Sequence, residues 1–286
     1  MNKHKIKKII SAAVIAVLIV VVCVTGLLIS KTRLPDGVPS DALRAVFFDV
    51  GEADCSLFFG DGVAILTDAP EDMTDQARGF MKRAGIKRLD YFIITHYDKD
   101  HSGDALKIIN AFKVGRVLLP EPVKGKEDVY KSIVAAAGAN GCVTVKTGQS
   151  FEIKDVKIDI LSPNGIGKES NDTCICYKLT YKGASALMCS DITDDEERVI
   201  LSNYGERIRS DIIKVAHHGS RYSSSEKFIK TVSAKYAVIS CGENVYGHPD
   251  LDVIKRLKSA GGGIFITQGD GVIIFDLMEN SVEPRK

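Results

Sequence analysis

The sequence predicts an α/β (α+β) protein in which two mixed β-sheets pack face to face with helices outside. In both halves of the 286-residue chain, β-prone hairpins come first and strand–helix alternation follows. The composition, 45% hydrophobic and 26% charged, is that of an ordinary globular protein. Aspartate and histidine residues follow directly after several predicted strands. In such a fold the strand ends can converge at one edge.

Two tight turns fix the predicted hairpins. Asp61-Gly62 joins strands 56–59 and 63–67, and Lys182-Gly183 joins strands 174–181 and 184–189. The remaining strands are predicted at 43–50, 91–94, 114–119, 143–145, 151–153, 156–161, 212–215, 236–240, 264–267 and 272–275. Helices are predicted at 73–84, 105–112, 127–137, 193–201, 224–230 and 249–258, the fourth beginning with a Thr193–Glu196 capping box.

The stretch 95–103 carries the densest set of potential metal ligands. His96, Asp98, Asp100 and His101 follow the apolar strand 91–94 and precede a helix. Imidazole together with carboxylate suits zinc or manganese. Two ions about 3.5–4 Å apart need several ligands each, some of them shared. The alternative is a solvated polar loop whose aspartates cap a helix.

Five further candidates each follow a predicted strand: Asp68, Asp191, His217, His218 and His248. Asp68 is expected to support the metal loop by accepting backbone N–H bonds. Asp191 is either a ligand or the start of a helix, and His248 is either a ligand or a helix cap. Because neighbours on an extended strand face opposite ways, we expect only one of His217 and His218 to bind metal or act as an acid. The other would pack or contact substrate.

The N-terminal residues predict a membrane segment. A basic tail at 1–8 with four lysines precedes an apolar run at 9–30, long enough to cross a hydrocarbon core of about 30 Å. The lysines place the tail in the cytoplasm, so the linker 31–42 and the domain 43–286 would lie outside the cell membrane. The alternative is a cleaved signal segment, although the apolar run is long for one.

Charge and cysteine content argue against general electrostatic binding of nucleic acid and against a zinc ribbon. Without the four lysines of the tail, 34 basic residues face 37 acidic ones, so the domain has no general attraction for nucleic acid. The seven cysteines lack paired zinc-ribbon spacing. Cys174 and Cys176 are expected to point to the same face of a strand.

Several motifs together resemble one family, the metallo-β-lactamase-fold domain of the ComEC competence (DNA-uptake) proteins. They are Phe48–Asp54, His96–Gly103, Asn171 upstream of Ser190-Asp191, His217–Ser220 and Asn244–Pro249. The resemblance extends from about residue 43 to 275 and implies an αββα sandwich with a dinuclear metal site. It also implies hydrolytic activity, as a phosphodiesterase or nuclease.

The resemblance assigns ligands residue by residue. It gives His96 and Asp98 to one ion, Asp100 and His101 to the other, and Asp191 as the bridge. It places His217, His218 and His248 at the same site as ligands or as the acid that protonates the leaving group, and Asp100 is a candidate catalytic residue as well.

The sequence also departs from the family pattern. Asp98 is a harder ligand than the histidine of the broader superfamily and favours manganese. Glu52-Ala53 replaces Gln-Gly, Pro70 replaces a glycine, and Ser190 replaces the glycine before the bridging aspartate. One anchor cannot form a DNA pore, so a stand-alone relative is expected.

The predicted function is that of a membrane-anchored, extracytoplasmic hydrolase with two Zn²⁺ or Mn²⁺ ions. Nucleic acid or another phosphodiester is the expected substrate. Two alternatives remain. One is a metallohydrolase of a small ester, lactone or amide. The other is a non-catalytic surface binding module on the same fold.

Overall fold

Fifteen strands build the protein around two sheets in this computed structural model, which describes residues 37–72, 74–138, 141–164 and 169–285. The strands are β1 (Leu43–Phe47), β2 (Ser56–Gly60), β3 (Val63–Thr67), β4 (Arg88–Ile93), β5 (Lys113–Leu119), β6 (Cys142–Thr144), β7 (Ser150–Ile153), β8 (Val156–Ile160), β9 (Tyr177–Tyr181), β10 (Ala184–Met188), β11 (Ile212–Lys214), β12 (Tyr236–Ile239), β13 (Gly263–Ile266), β14 (Ile273–Met278) and β15 (Ser281–Arg285).

Both sheets are mixed, as the sequence predicts. The first has the order β15-β14-β1-β2-β3-β4-β5-β6, and the second has the order β13-β12-β11-β10-β9-β8-β7. Strands β3 to β6 run parallel in the first sheet. Strands β10 to β13 run parallel in the second. The carboxyl ends of β3, β4, β10, β11 and β12 precede the loops that carry the candidate ligands.

Helices flank the sheets. They are α1 (Thr74–Arg83), α2 (Lys99–Ser102), α3 (Ala105–Ala111), α4 (Glu127–Ala137), α5 (Asp194–Tyr204), α6 (Glu226–Val232), α7 (Leu251–Ala260) and α8 (Thr267–Asp270). Short 3₁₀ turns lie at Ser170–Thr173, Gly205–Ile208 and Ala216–Gly219.

The main core lies between the sheets. Alternate residues of β1, β8 and β9 turn inward and are fully buried. Phe47 packs edge-to-face on Phe58 and on Phe275, with ring centroids 6.4 and 6.2 Å apart. A second buried cluster joins the outer face of the second sheet to α5, α6 and α7. Cys174 and Cys176 both belong to this second cluster, so they share a face as expected.

Both predicted hairpin turns are confirmed. Asp61 and Gly62 have φ of +47° and +69°, and Lys182 and Gly183 have φ of +45° and +89°. Two successive positive φ values are typical of the tight turn that matches the twist of paired strands.

Element ends differ from expectation where tertiary contacts decide them. Strand β4 begins at Arg88, before the apolar run, and β15 pairs with β14 although its sequence is polar. Thr193 is the N-cap residue of α5 but makes no side-chain cap bond. The predicted capping box is therefore wrong. Glu196 instead accepts a hydrogen bond of 2.9 Å from the Asn164 amide.

The N-terminal predictions concern residues that the structure does not describe. The basic tail at 1–8 and the anchor at 9–30 are not among the described residues. Within the described part of the chain, no helix has the length and apolar character needed to cross a membrane. Residues 38–286 form one compact unit.

Candidate metal centre

The stretch that follows β4 is anchored by backbone hydrogen bonds from three other segments. Ala69 N donates to His101 O at 2.7 Å, Asp54 N to Asp100 O at 3.1 Å, and Ile175 N to Thr95 O at 2.9 Å. Asp100 and His101 lie inside the single helical turn α2, whereas the sequence predicts a loop there. The turn forms because Asp98 O accepts the N–H groups of residues 101 and 102.

Asp68 stands directly behind His101. One carboxylate oxygen accepts the Thr95 N–H at 2.8 Å, and the other accepts the Thr95 hydroxyl at 2.8 Å. That second oxygen also lies 2.8 Å from His101 Nδ1. A carboxylate at Nδ1 fixes the ring's tautomer and orientation, which leaves Nε2 to face the site. His101 Nε2 lies 3.3 Å from Asp191 Oδ1.

The backbone at His217 and His218 is not extended. Both residues have left-handed φ, +49° and +52°, within a 3₁₀ turn that ends at Gly219. A side chain at Gly219 would put its Cβ only 2.7 Å from the Cβ of Pro249. The tight turn removes the alternation of an extended strand, on which the expectation for His217 and His218 rested. Which of the two binds metal or acts as an acid stays a prediction.

Both imidazoles approach the carboxylates. His218 Nδ1 donates to Ser240 O at 2.9 Å, which turns Nε2 inward. That Nε2 lies 3.7 Å from Asp100 Oδ2 and 3.8 Å from Asp191 Oδ1. His217 Nε2 lies 3.7 Å from the other oxygen of Asp191. Asp191 therefore faces imidazoles on both of its oxygens.

Four buried atoms here have no hydrogen-bond partner among the described residues. They are His96 Nε2, His101 Nε2, His218 Nε2 and Asp191 Oδ1. Buried polar atoms without partners are costly, and native proteins rarely keep several together. Donor atoms of Asp100, His101, Asp191 and His218 all lie within 4.8 Å of one another. Nitrogen and carboxylate donors at such spacing suit a divalent transition-metal ion, so the residues fit the predicted metal.

Asp98 lies beside His96, and its side chain is 34% exposed. Its Oδ2 is 3.6 Å from His96 Nε2, and its Oδ1 is 2.6 Å from Lys126 Nζ. The neighbouring His96 and Lys126 side chains hold the pKa of Asp98 well below its ordinary value, although burial would raise it. Asp98 is therefore ionised at neutral pH and available, with His96, to bind a cation.

His248 completes a row of rings. Its ring centroid is 5.7 Å from that of His217, and its Nδ1 is 2.8 Å from Glu52 Oε1. The N-cap of α7 is Asp250, which accepts from Asp252 N at 2.8 Å, so His248 is not the helix cap. Pro249 likewise precedes the helix instead of forming its first turn.

Sequence reasoning overlooked Glu52 and Lys214. Glu52 stood out only as a departure from the family pattern, yet it holds His248. Lys214 is 1% exposed, and its Nζ lies 2.8 Å from both oxygens of Asp54. Asp54 Oδ1 is in turn 4.0 Å from His218 Nδ1. The signal for Lys214 was a lysine inside an apolar strand that leads into the two histidines.

The electrostatics of the cluster are those of a cation site. Burial alone would raise the pKa of Asp191, but His101 and His218 hold it well below its ordinary value. Burial alone would lower the pKa of His218, but Asp191 and Asp100 raise it to about 8. The carboxylates thus favour the protonated form of His218. A metal ion needs the same imidazole nitrogen without its proton, so protons and metal compete for it.

The chain belongs to the metallo-beta-lactamase superfamily, whose family model matches residues 49–243. Its curated relatives include competence proteins of the ComEC type. ComE operon protein 3 of Bacillus subtilis (strain 168) is 32% identical over 197 residues, which cover 68% of this chain and 25% of that protein. Competence protein ComA of Neisseria gonorrhoeae is 26% identical over 256 residues, which cover 88% of this chain and 35% of that protein.

A solved structure shows the same fold. The metallo-beta-lactamase fold protein YhfI from Bacillus subtilis aligns with a TM-score of 0.57 at 12% identity, covering 82% of this chain and all of YhfI. The predicted αββα fold and the resemblance to ComEC-type proteins are confirmed. The aligned regions make up only a quarter to about a third of the lengths of the two competence proteins.

Proposed function

We propose that this protein is a phosphodiesterase, acting on nucleic acid, that uses two divalent ions, Zn²⁺ or Mn²⁺. One observation carries the proposal: among the described residues, four buried atoms of His96, His101, His218 and Asp191 lack a hydrogen-bond partner, and donor atoms of the last three lie within 4.8 Å of one another. The fold is that of metal-dependent hydrolases, and the curated relatives are competence proteins. The identity of the metal, the bond that is cut and the substrate are what we propose beyond the fold and the family.

The proposed ligand sets are those that the family resemblance implies, and the proximity of His96 to Asp98 and of Asp100, His101, Asp191 and His218 to one another supports them. His96 and Asp98 would hold one ion, Asp100 and His101 the other, and Asp191 would bridge them, with His218 beside Asp100. When bound, such ions supply Lewis acidity and lower the pKa of a water molecule from 15.7 toward about 7. Asp68 keeps His101 oriented, and Ser240 O does the same for His218.

Proton transfer to the leaving group is assigned to the outer histidines. Side-chain exposure is 28% for His217 and 12% for His248, whereas His96 and His101 are fully buried. Glu52 at Nδ1 of His248 leaves Nε2 as that ring's free nitrogen. A carboxylate-supported imidazole with one free nitrogen is suited to general acid catalysis.

We also propose that residues 9–30 anchor the protein and that the domain lies outside the cell membrane. The lysines at 1–8 and the long apolar run support this. Protease treatment of intact cells should remove the domain. A domain that stays intact until the cells are lysed would contradict this orientation.

The enzyme test uses the full-length chain purified in detergent. Metal is removed by chelation, Mn²⁺ or Zn²⁺ is added back, and cleavage of bis-p-nitrophenyl phosphate and of single- and double-stranded DNA is measured. We expect metal-restored turnover in the wild type and in Asp252→Asn, an exposed control, and loss of about 10²-fold or more in Asp191→Ala. No metal-dependent turnover on any ester would contradict the proposal.

A small ester, lactone or amide is the second candidate substrate. The balance of 34 basic and 37 acidic residues outside the tail favours it over a long polyanion. Salt separates the two, because binding to a phosphate backbone weakens steeply with salt whereas binding of a neutral ester does not. A non-catalytic binding module would instead retain metal without turnover.

A further inference from the structure

We propose that Tyr246 is a substrate-binding residue that stacks an unpaired nucleobase beside the metal centre. The inference rests on the proposed phosphodiesterase function and names the form of its substrate. The observation behind it is an exposed aromatic ring that is stacked on a histidine of the site.

Tyr246 is 74% exposed, so most of its ring surface is open to solvent. One face of its ring is stacked on His248, with centroids 5.7 Å apart and an interplanar angle of 27°. The His248 ring continues to His217, 5.7 Å away, and His217 faces Asp191. Tyr246 therefore lies at the outer end of a row of rings that leads to the metal ligands.

The loop that carries Tyr246 is held in place by one side chain. Asn244 Oδ1 accepts the N–H groups of Tyr246 and His248, both at 3.0 Å. Its amide nitrogen donates to Gly242 O at 2.9 Å and to His248 O at 2.7 Å. Glu52 adds a contact of 3.2 Å to the Gly242 N–H. An exposed ring on a loop whose backbone is held by five such hydrogen bonds is already arranged for binding, which lowers the entropy cost of association.

The exposed ring and its surroundings favour a nucleobase. Tyr222, which is 71% exposed, lies on the loop that follows His217 and His218. Aromatic rings bind single strands by stacking, and every base offers a π-face. Bases inside a duplex are stacked on each other and cannot offer that face. A base on Tyr246 would bring the neighbouring phosphodiester toward His248 and His217.

The test measures binding, not turnover, with the full-length chain in detergent and chelator so that no strand is cut. The probes are a fluorescent oligothymidylate and an abasic strand of the same length and charge. For wild type we expect tighter binding of oligothymidylate than of the abasic strand. Tyr246→Ala should weaken oligothymidylate binding by roughly 5- to 150-fold, the range that stacking of one base provides, and should leave abasic binding unchanged.

Three matched variants separate stacking from other effects. Tyr246→Phe keeps the ring and should bind like wild type, while Tyr246→Leu keeps apolar area without the π-face and should bind like Tyr246→Ala. Val245→Ala on the same loop should bind like wild type. Equal affinity of wild type for the two strands, or equal loss of both in Tyr246→Ala, would overturn the inference. Base-dependent binding without metal-dependent turnover would contradict the proposed function alone.

Discussion

The buried ion pair between Lys214 and Asp54 gives a direct test of how the site is supported. The side chains are 2% and 7% exposed, and Lys214 Nζ contacts both oxygens of Asp54 at 2.8 Å. Lys214→Met keeps much of the side-chain volume but leaves a carboxylate buried without its cation. Loss of one partner of a buried pair costs about 3–5 kcal/mol. For a domain of this size that lowers Tm by about 6–20 °C.

The assay is urea unfolding of the full-length chain in chelator, so that bound metal adds nothing to stability. Lys255→Met is the matched control: its pair with Asp252 has the same 2.8 Å separation, but the side chains are 74% and 66% exposed. We expect the control to change stability by less than about 0.5 kcal/mol. The double variant Asp54→Leu/Lys214→Met should be more stable than Lys214→Met alone, because both charges are gone. Equal losses of unfolding free energy in Lys214→Met and Lys255→Met would show that burial gives the Lys214–Asp54 pair no special role in stability.

Two further predictions concern single carboxylates. Asp68→Asn should weaken Zn²⁺ or Mn²⁺ binding by about 10- to 100-fold, because His101 loses its orienting partner; unchanged calorimetric affinity would count against this role. Asp276 is buried between the arginines at positions 44 and 285, which hold its pKa below its ordinary value although burial would raise it. Its contribution to stability is therefore present above about pH 4, the unfolded pKa, and is lost as pH falls through the lower folded pKa. In urea unfolding between pH 2 and 7, Asp276→Asn should be less stable at pH 7 and should lose less stability in acid, whereas an acid limb identical to that of wild type would contradict this.

Local signals in the sequence were sufficient for much of the fold. The turns at Asp61-Gly62 and Lys182-Gly183 need residues that tolerate positive φ, and that preference is visible in two letters. The candidate ligands 96–101 could be located because they follow an apolar strand directly. In each case the deciding interaction lies within a few residues.

What the sequence did not reveal depends on contacts across long separations. The left-handed turn at His217 and His218 ends at Gly219, where the backbone lies so close to Pro249, thirty residues away, that a side chain would not fit. Thr193 was expected to form a capping box, but Glu196 bonds to Asn164, which no local pattern indicates.

The supporting pairs were missed for the same reason. The Lys214–Asp54 and Glu52–His248 pairs join residues 160 and 196 positions apart. From the sequence alone, a charged residue is predicted to be exposed unless its ion-pair partner can be identified. Only the three-dimensional structure shows that Lys214 and Asp54 are buried behind the ligands and that Glu52 contacts His248.

The number of metal ions bound per chain is the most direct test of the proposed two-ion site. The full-length chain is reconstituted with Zn²⁺ or Mn²⁺, freed of excess metal, and analysed by inductively coupled plasma mass spectrometry. We expect about two ions per chain for wild type and for Asp252→Asn, and no more than about one for Asp191→Ala, because the proposed bridge is lost. Negligible metal in wild type, or identical content in Asp191→Ala, would contradict it.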